Sequence, residues 1–234
     1  MRTQMKSLAA AAMCCLLLLS GGCSNMNQTA KGSLIGAGGG AALGAGIGAL
    51  AGGGKGAGIG AAIGTAVGAG SGALIGRKMD KQKQELEQQL ADHAEVETVT
   101  DQNNLQAIKV TFSDGILFQT GKSDLSTSSI ISLTKFAGSL SQNPQTDVTI
   151  YGHTDNTGSR AVNERLSLER ANAVENFLVG QGITRNRMNA EGLAYDVPVA
   201  DNSSVEGRAK NRRVEIFITA NEAMIKAAEA GTLQ

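Results

Sequence analysis

The chain has 234 residues, with 21 basic and 21 acidic side chains and a formal net charge of zero. That balance gives no electrostatic basis for binding nucleic acid. Aromatics are 3% and Trp is absent, whereas Gly numbers 31, and 19 of these lie between Lys31 and Gly76; beyond that tract, roughly 130 residues remain, enough for one domain with its own core.

Arg2 and Lys6 precede an apolar run from Leu8 to Leu19. The run has signal-peptide length and is too short to span a bilayer. Ser20-Gly21-Gly22-Cys23 follows, small residues ending at a cysteine. This resembles the bacterial lipobox, which implies cleavage after Gly22 and acylation of Cys23. An ordinary secretory cut near Gly22 is the competing reading. Cys14 and Cys15 leave with the leader, so no internal disulfide framework remains. Ser24, rather than Asp, follows the cysteine. In lipoproteins resembling this one, that implies the outer membrane with the C-terminal part in the periplasm.

Glycine recurs at every fourth position from Gly36 to Gly76 without a miss, separated mostly by Ala, Ile, Leu and Val. The overlapping G-x-x-x-G units resemble the glycine-zipper proteins. A small residue at each turn lets helix backbones approach closely in lipid. Gly52-Gly53-Gly54-Lys55-Gly56 divides residues 33–77 into two segments of roughly 27 Å each as helix. A helical hairpin associated with the membrane is expected. A flexible Gly/Ala linker stays open as the alternative, because glycine costs about 1 kcal/mol per helical site. Residues 23–32 form a tether before it. Residues 78–100, charged and Gln-rich, read as a solvated helical spacer in which Met79, Leu86 and Leu90 make only a weak stripe.

Residues 101–220 alternate strand and helix. Strands are expected at Leu105–Phe112, Asp147–Gly152, Met188–Gly192 and Arg213–Thr219, from period-two alternation and turn residues at their ends. Ser113-Asp114-Gly115 reads as a turn, with an irregular loop to Asp124. Helices are expected from Ser126 or Thr127 to Ser141 and from Ala161 to Leu178. A turn of helix near Glu206 to Lys210 and a helical tail over 221–234 complete the set. The βαβαβ–β order predicts an α+β fold, a two-layer α/β sandwich.

One residue in the second helix is out of place. Asn163, Leu166, Val174 and Phe177 all lie within about 40° of Arg170 on a helical wheel. An arginine on a core-facing stripe costs several kcal/mol unless it is paired. It has a structural carboxylate partner, or it lines a pocket. The polarity of that face toward the helix start (Asn163, Ser167, Arg170) favours the pocket, and the adjoining loop carries a carboxylate at Asp155. Arg165 points the other way, to water.

The blocks ILFQTGKSDLS, GHTDNTG, N-x-x-L-S-x-x-R-A-x-x-V (Asn163 to Val174) and NRRVEI (Asn211 to Ile216) occur in that order. They resemble the OmpA-like peptidoglycan-binding domains. The whole layout resembles the small outer-membrane lipoproteins typified by YiaD. In that family the ligand is the free end of meso-diaminopimelate in the wall's stem peptide, an ammonium and a carboxylate on one carbon. The resemblance then implies Asp155 for the ammonium and Arg170 for the carboxylate, bidentate where geometry allows. Asn163 is a further contact, the loop amides of Asn156 and Thr157 add backbone contacts, and Arg212 supports the rim. Of Arg212 and Arg213, which alternate in direction on a strand, one is expected to be merely solvated. His153 reads as a hydrogen-bonded histidine at a strand end, since no second His or Cys stands at ligand spacing. No metal, cofactor or catalytic constellation is visible. The expectation is a non-enzymatic tether with peptidoglycan and outer-membrane lipid as partners. The alternative is a glycine-zipper membrane oligomer or assembly factor in which wall binding is secondary.

Overall fold

The computed structural model describes residues 69–101, 103–118 and 121–233. The leader, Cys23 and the glycine tract as far as residue 68 lie outside the described residues. Helix α1 (Ala69–Leu90) is followed by β1 (Glu95–Thr100), β2 (Gln106–Ser113), the short α2 (Asp114–Leu117) and α3 (Thr127–Gln142). Then come β3 (Thr146–Gly152), α4 (Arg160–Gly180), β4 (Met188–Gly192), α5 (Val205–Asn211), β5 (Arg213–Ala220) and α6 (Glu222–Glu229). No described helix is long and apolar enough to cross a membrane.

The strands form one sheet in the order β1-β2-β5-β3-β4. All neighbours are antiparallel except β3 and β4, which α4 connects as a crossover. The register puts Ile108, Ile218 and Val148 in one row, and Val110, Ile216 and Ile150 in the next. All six are buried in a single core shared with the helices. The opposite face is mostly polar, apart from the edge-on pair Tyr151 and Phe217: Glu95, Thr111, Glu215, Tyr151 and Glu191 align across all five strands. Period-two alternation therefore gives each strand one face to the core. Ser126 caps α3 by accepting from the Ser129 amide at 3.1 Å. Phe136 of α3 meets Phe112 edge-on, with centroids 6.3 Å apart.

The expected solvated spacer over residues 78–100 is corrected. Ile75, Met79, Gln82, Leu86 and Leu90 are buried, at the helical spacing that makes a core stripe. They seat α1 against α3, α6, β1 and β2. The last residues of the spacer are an edge strand, in which Val96 pairs opposite Val110. The mean polarity of this stretch hid a periodic apolar face. Where a turn is expected at Ser113 to Gly115, β2 ends at Ser113 and α2 starts at Asp114.

Two strand ends bring α4 close. A Cβ on Gly192 would stand 2.5 Å from the Leu168 nitrogen and 2.6 Å from Ser167 Oγ, and one on Gly152 would strike the Ser167 carbonyl. Only glycine at these positions lets α4 lie directly on the ends of β3 and β4.

Candidate functional site

At the end of β3 the chain turns through His153, Thr154 and Asp155 before Ser159 caps α4. Asp155 is 8% exposed. Its Oδ1 accepts from the Thr157 amide at 2.9 Å, a local Asx-type turn. Its Oδ2 accepts from Arg212 Nη1 at 2.6 Å. Burial pushes the Asp155 carboxyl up, but the Arg212 guanidinium and the Thr157 hydrogen bonds outweigh it and hold the group below its ordinary value. The site's carboxylate is thus kept ionised.

Helix α4 supplies the other half. Asn163 Nδ2 donates to the Thr157 carbonyl at 2.9 Å, tying the first turn of α4 to the loop that carries Asp155. One turn further on, Ser167 Oγ accepts from the Ala194 amide at 3.1 Å. Ala194 in turn accepts from the Thr154 amide at 2.8 Å. The loops after β3 and β4 therefore close on the same end of α4.

Arg170 is 2% exposed and the largest fully buried side chain described. Its Nε donates to the Lys122 carbonyl at 3.1 Å. Its Cζ stands 5.2 Å from the centre of the Phe118 ring. A buried guanidinium needs such partners, because desolvation otherwise costs several kcal/mol.

The sequence-predicted residues divide as follows. Asp155, Thr157, Asn163 and Arg212 form one connected hydrogen-bonded set. Arg170 lies on the Asn163 face of α4, held by the segment before α3. Asn156 is exposed, and its amide reaches Asn202 Oδ1 at 3.4 Å. Arg165 is solvated, pairing with Glu169 at 3.6 Å. Two expectations are corrected. Neither arginine of NRR is merely solvated, because Arg212 holds Asp155 and the buried Arg213 donates to Glu215 Oε1 at 2.8 Å. His153 is not hydrogen-bonded through its ring. Its main-chain amide donates to the Arg213 carbonyl at 2.9 Å, but among the described residues neither ring nitrogen has a hydrogen-bond partner, and Nε2 stands 3.7 Å from Glu215 Oε2.

Sequence reasoning missed Phe118, the Lys122 carbonyl, Ser167 as a loop anchor, and Asn211. The Asn211 amide group bridges Val199, Ala200 and Asn202, fixing the loop before α5. Phe118, Ser167 and Asn211 stood inside recognised blocks, so a signal existed for them. A backbone carbonyl leaves no side-chain signal. A cleft of about 760 Å³ lies elsewhere, on the outer face of the sheet, lined by Glu95, Lys109, Thr111, Arg213 and Glu215 among others.

A buried carboxylate and a buried guanidinium thus stand on a strand-end loop and the helix that follows it, at one end of an α/β sandwich. Residues 117–212 match the OmpA family, and the domain they form belongs to it. Residues 1–80 match the YMGG-like Gly-zipper. The chain is 43% identical over 111 residues to outer membrane protein Omp38 of Acinetobacter baumannii, covering 47% of this chain and 31% of that one. It is 38% identical over 106 residues to the probable lipoprotein YiaD of Escherichia coli, covering 45% and 48%. The chain thus spans a third to a half of the length of these curated relatives. Among solved structures, the cell wall anchor of the T6SS from Pseudomonas aeruginosa superposes with a TM-score of 0.51 at 30% identity, covering 59% of this chain and 99% of that one.

Proposed function

We propose that the protein is a non-enzymatic tether: an outer-membrane lipoprotein, acylated at Cys23, whose C-terminal domain grips peptidoglycan. The carrying observation is the pair of buried charges, Asp155 and Arg170, on two elements joined by the Asn163–Thr157 bond. An ammonium and a carboxylate on one carbon, the free end of diaminopimelate, is the ligand such a pair suits. The names of similar proteins agree: an outer membrane protein, a probable lipoprotein and a cell wall anchor.

Asp155 binds the ammonium. A carboxylate has about four acceptor positions, and Arg212 and Thr157 do not fill them. Arg170 binds the carboxylate. With this side chain 2% exposed, ligand contact requires a local rearrangement around it. Each charge-assisted contact contributes about 1.5–3 kcal/mol. Asp155→Ala and Arg170→Ala are therefore expected to abolish pull-down on purified sacculi, while circular dichroism shows the domain folded. Arg170→Lys, which keeps charge but loses the planar fork, is expected to weaken binding too. Retained binding in all three variants would remove this assignment.

A second reading is favoured by the Gly-zipper match over residues 1–80. There the repeat assembles copies in the membrane and wall binding is secondary. In that case Gly60→Leu with Gly64→Leu disrupts crosslinked assemblies, and the Asp155 variant leaves them intact.

A further inference from the structure

Arg170 can discriminate a carboxylate only if the plane of its guanidinium is fixed, since a fork recognises two oxygens by geometry and not by charge alone. Two described contacts fix it. The face of the Phe118 ring lies against the guanidinium, Cζ to centroid 5.2 Å, and the Lys122 carbonyl takes Nε at 3.1 Å. The ring is itself held: Phe118 is 3% exposed and pairs with Leu125 in an isolated antiparallel bridge. Next to the bridge, the Ser126 amide donates to the Leu117 carbonyl at 2.9 Å, and Ser126 Oγ donates to the Ile116 carbonyl at 2.7 Å. The backbone that carries the ring is thus tied to the cap of α3.

We propose that Phe118 is a positioning residue for carboxylate recognition: its π face orients the Arg170 fork in the ligand-bound protein. This rests on the reading of Arg170 as the carboxylate-binding group. A cation on an aromatic face is attracted by the ring quadrupole, and the attraction is strongest where water is excluded. Fluorine on the ring withdraws that quadrupole at nearly constant size, so a fluorination series separates electrostatic positioning from plain packing.

The test uses the full-length protein with mono-, di- and trifluorophenylalanine at position 118. Two synthetic stem tripeptides serve as probes, one with free meso-diaminopimelate and one with that residue's side-chain carboxylate amidated. Affinity for the free peptide is expected to fall stepwise, by roughly three- to thirtyfold across the series, with the melting temperature unchanged. The amidated peptide, weaker from the start, is expected to show no such trend. Phe118→Leu is expected to lose as much as the trifluoro variant. A flat or tightening series in a protein that binds the free peptide overturns the role of Phe118 and leaves the wall-binding reading standing. A wild-type protein that binds neither peptide overturns both.

Discussion

His153 sits two residues before the carboxylate of the site and is 1% exposed, with neither ring nitrogen hydrogen-bonded within the described chain. Burial pushes its imidazole down. Glu215 at 3.7 Å works against that, while Arg213 and Lys109 add to the depression, and the net shift is downward. The folded protein thus holds His153 neutral where the unfolded chain takes up a proton near pH 6.5. Unfolding then binds a proton below that pH, so stability falls as pH drops through and below about 6.5. For Glu215 burial raises the carboxyl, but His153 and Arg213 outweigh it and bring it down to about 2. Its stabilisation is present above its unfolded value and is lost only as pH falls toward 2, a separate window. Urea midpoints at pH 7, 6 and 5 are expected to decline in the wild type, and to decline less in His153→Leu. Equal slopes would assign the acid sensitivity to other groups. The sequence showed a histidine at a strand end; that its ring would be sealed beside a carboxylate depended on β5 returning next to β3.

Helix α1 shows how polarity averaged along a segment misleads. Residues 78–100 read as a water-exposed spacer because Lys, Glu and Gln dominate them. Their few apolar side chains recur at helical spacing, and that stripe is buried. The partners that bury it, α3 and α6, come roughly 50 and 140 residues later, a separation no local pattern encodes. Leu86 is fully buried in the core. Leu86→Ala is expected to destabilise the domain by about 3 kcal/mol, the ordinary cost of a buried leucine truncation. Chemical denaturation measures it, and a change within about 0.5 kcal/mol, typical of a surface site, would return α1 to the status of a spacer. The second helix of the sandwich was legible down to its odd residue. The buried face of α4 is itself largely polar toward the helix start, and Arg170 stood out against Val174 and Phe177 on the wheel. The edge strand β1 was not legible: no residue in it is fully buried, Glu95 and Thr98 are exposed, and its six residues give a weaker pattern than the flanking helix.

For the molecule as a whole, the C-terminal domain begins sooner than the sequence pattern implied, since α1 starts at Ala69 within the glycine repeat. In the tether reading, attachment to lipid then depends on Cys23 and the tract up to residue 68. Palmitate labelling is expected to mark the wild type and not Cys23→Ala. In fractionation the variant is expected to leave the membrane pellet at least in part, with the acyl chains contributing about 0.8 kcal/mol per buried CH₂. A variant that keeps both label and location would refute lipidation at Cys23. The sequence by itself determined what depends on local periodicity and on recognisable blocks: the four-residue glycine phase, four of the five described strands, and Asp155 and Arg170 as the charges of interest. Tertiary structure alone decided that Arg212 rather than Arg170 holds Asp155 here, that Phe118 and a backbone carbonyl frame the buried guanidinium, and that α1 belongs to the core. Each of these is a meeting of segments far apart in the chain, fixed by sheet register and helix packing, and such meetings leave no trace in the spacing of neighbouring residues.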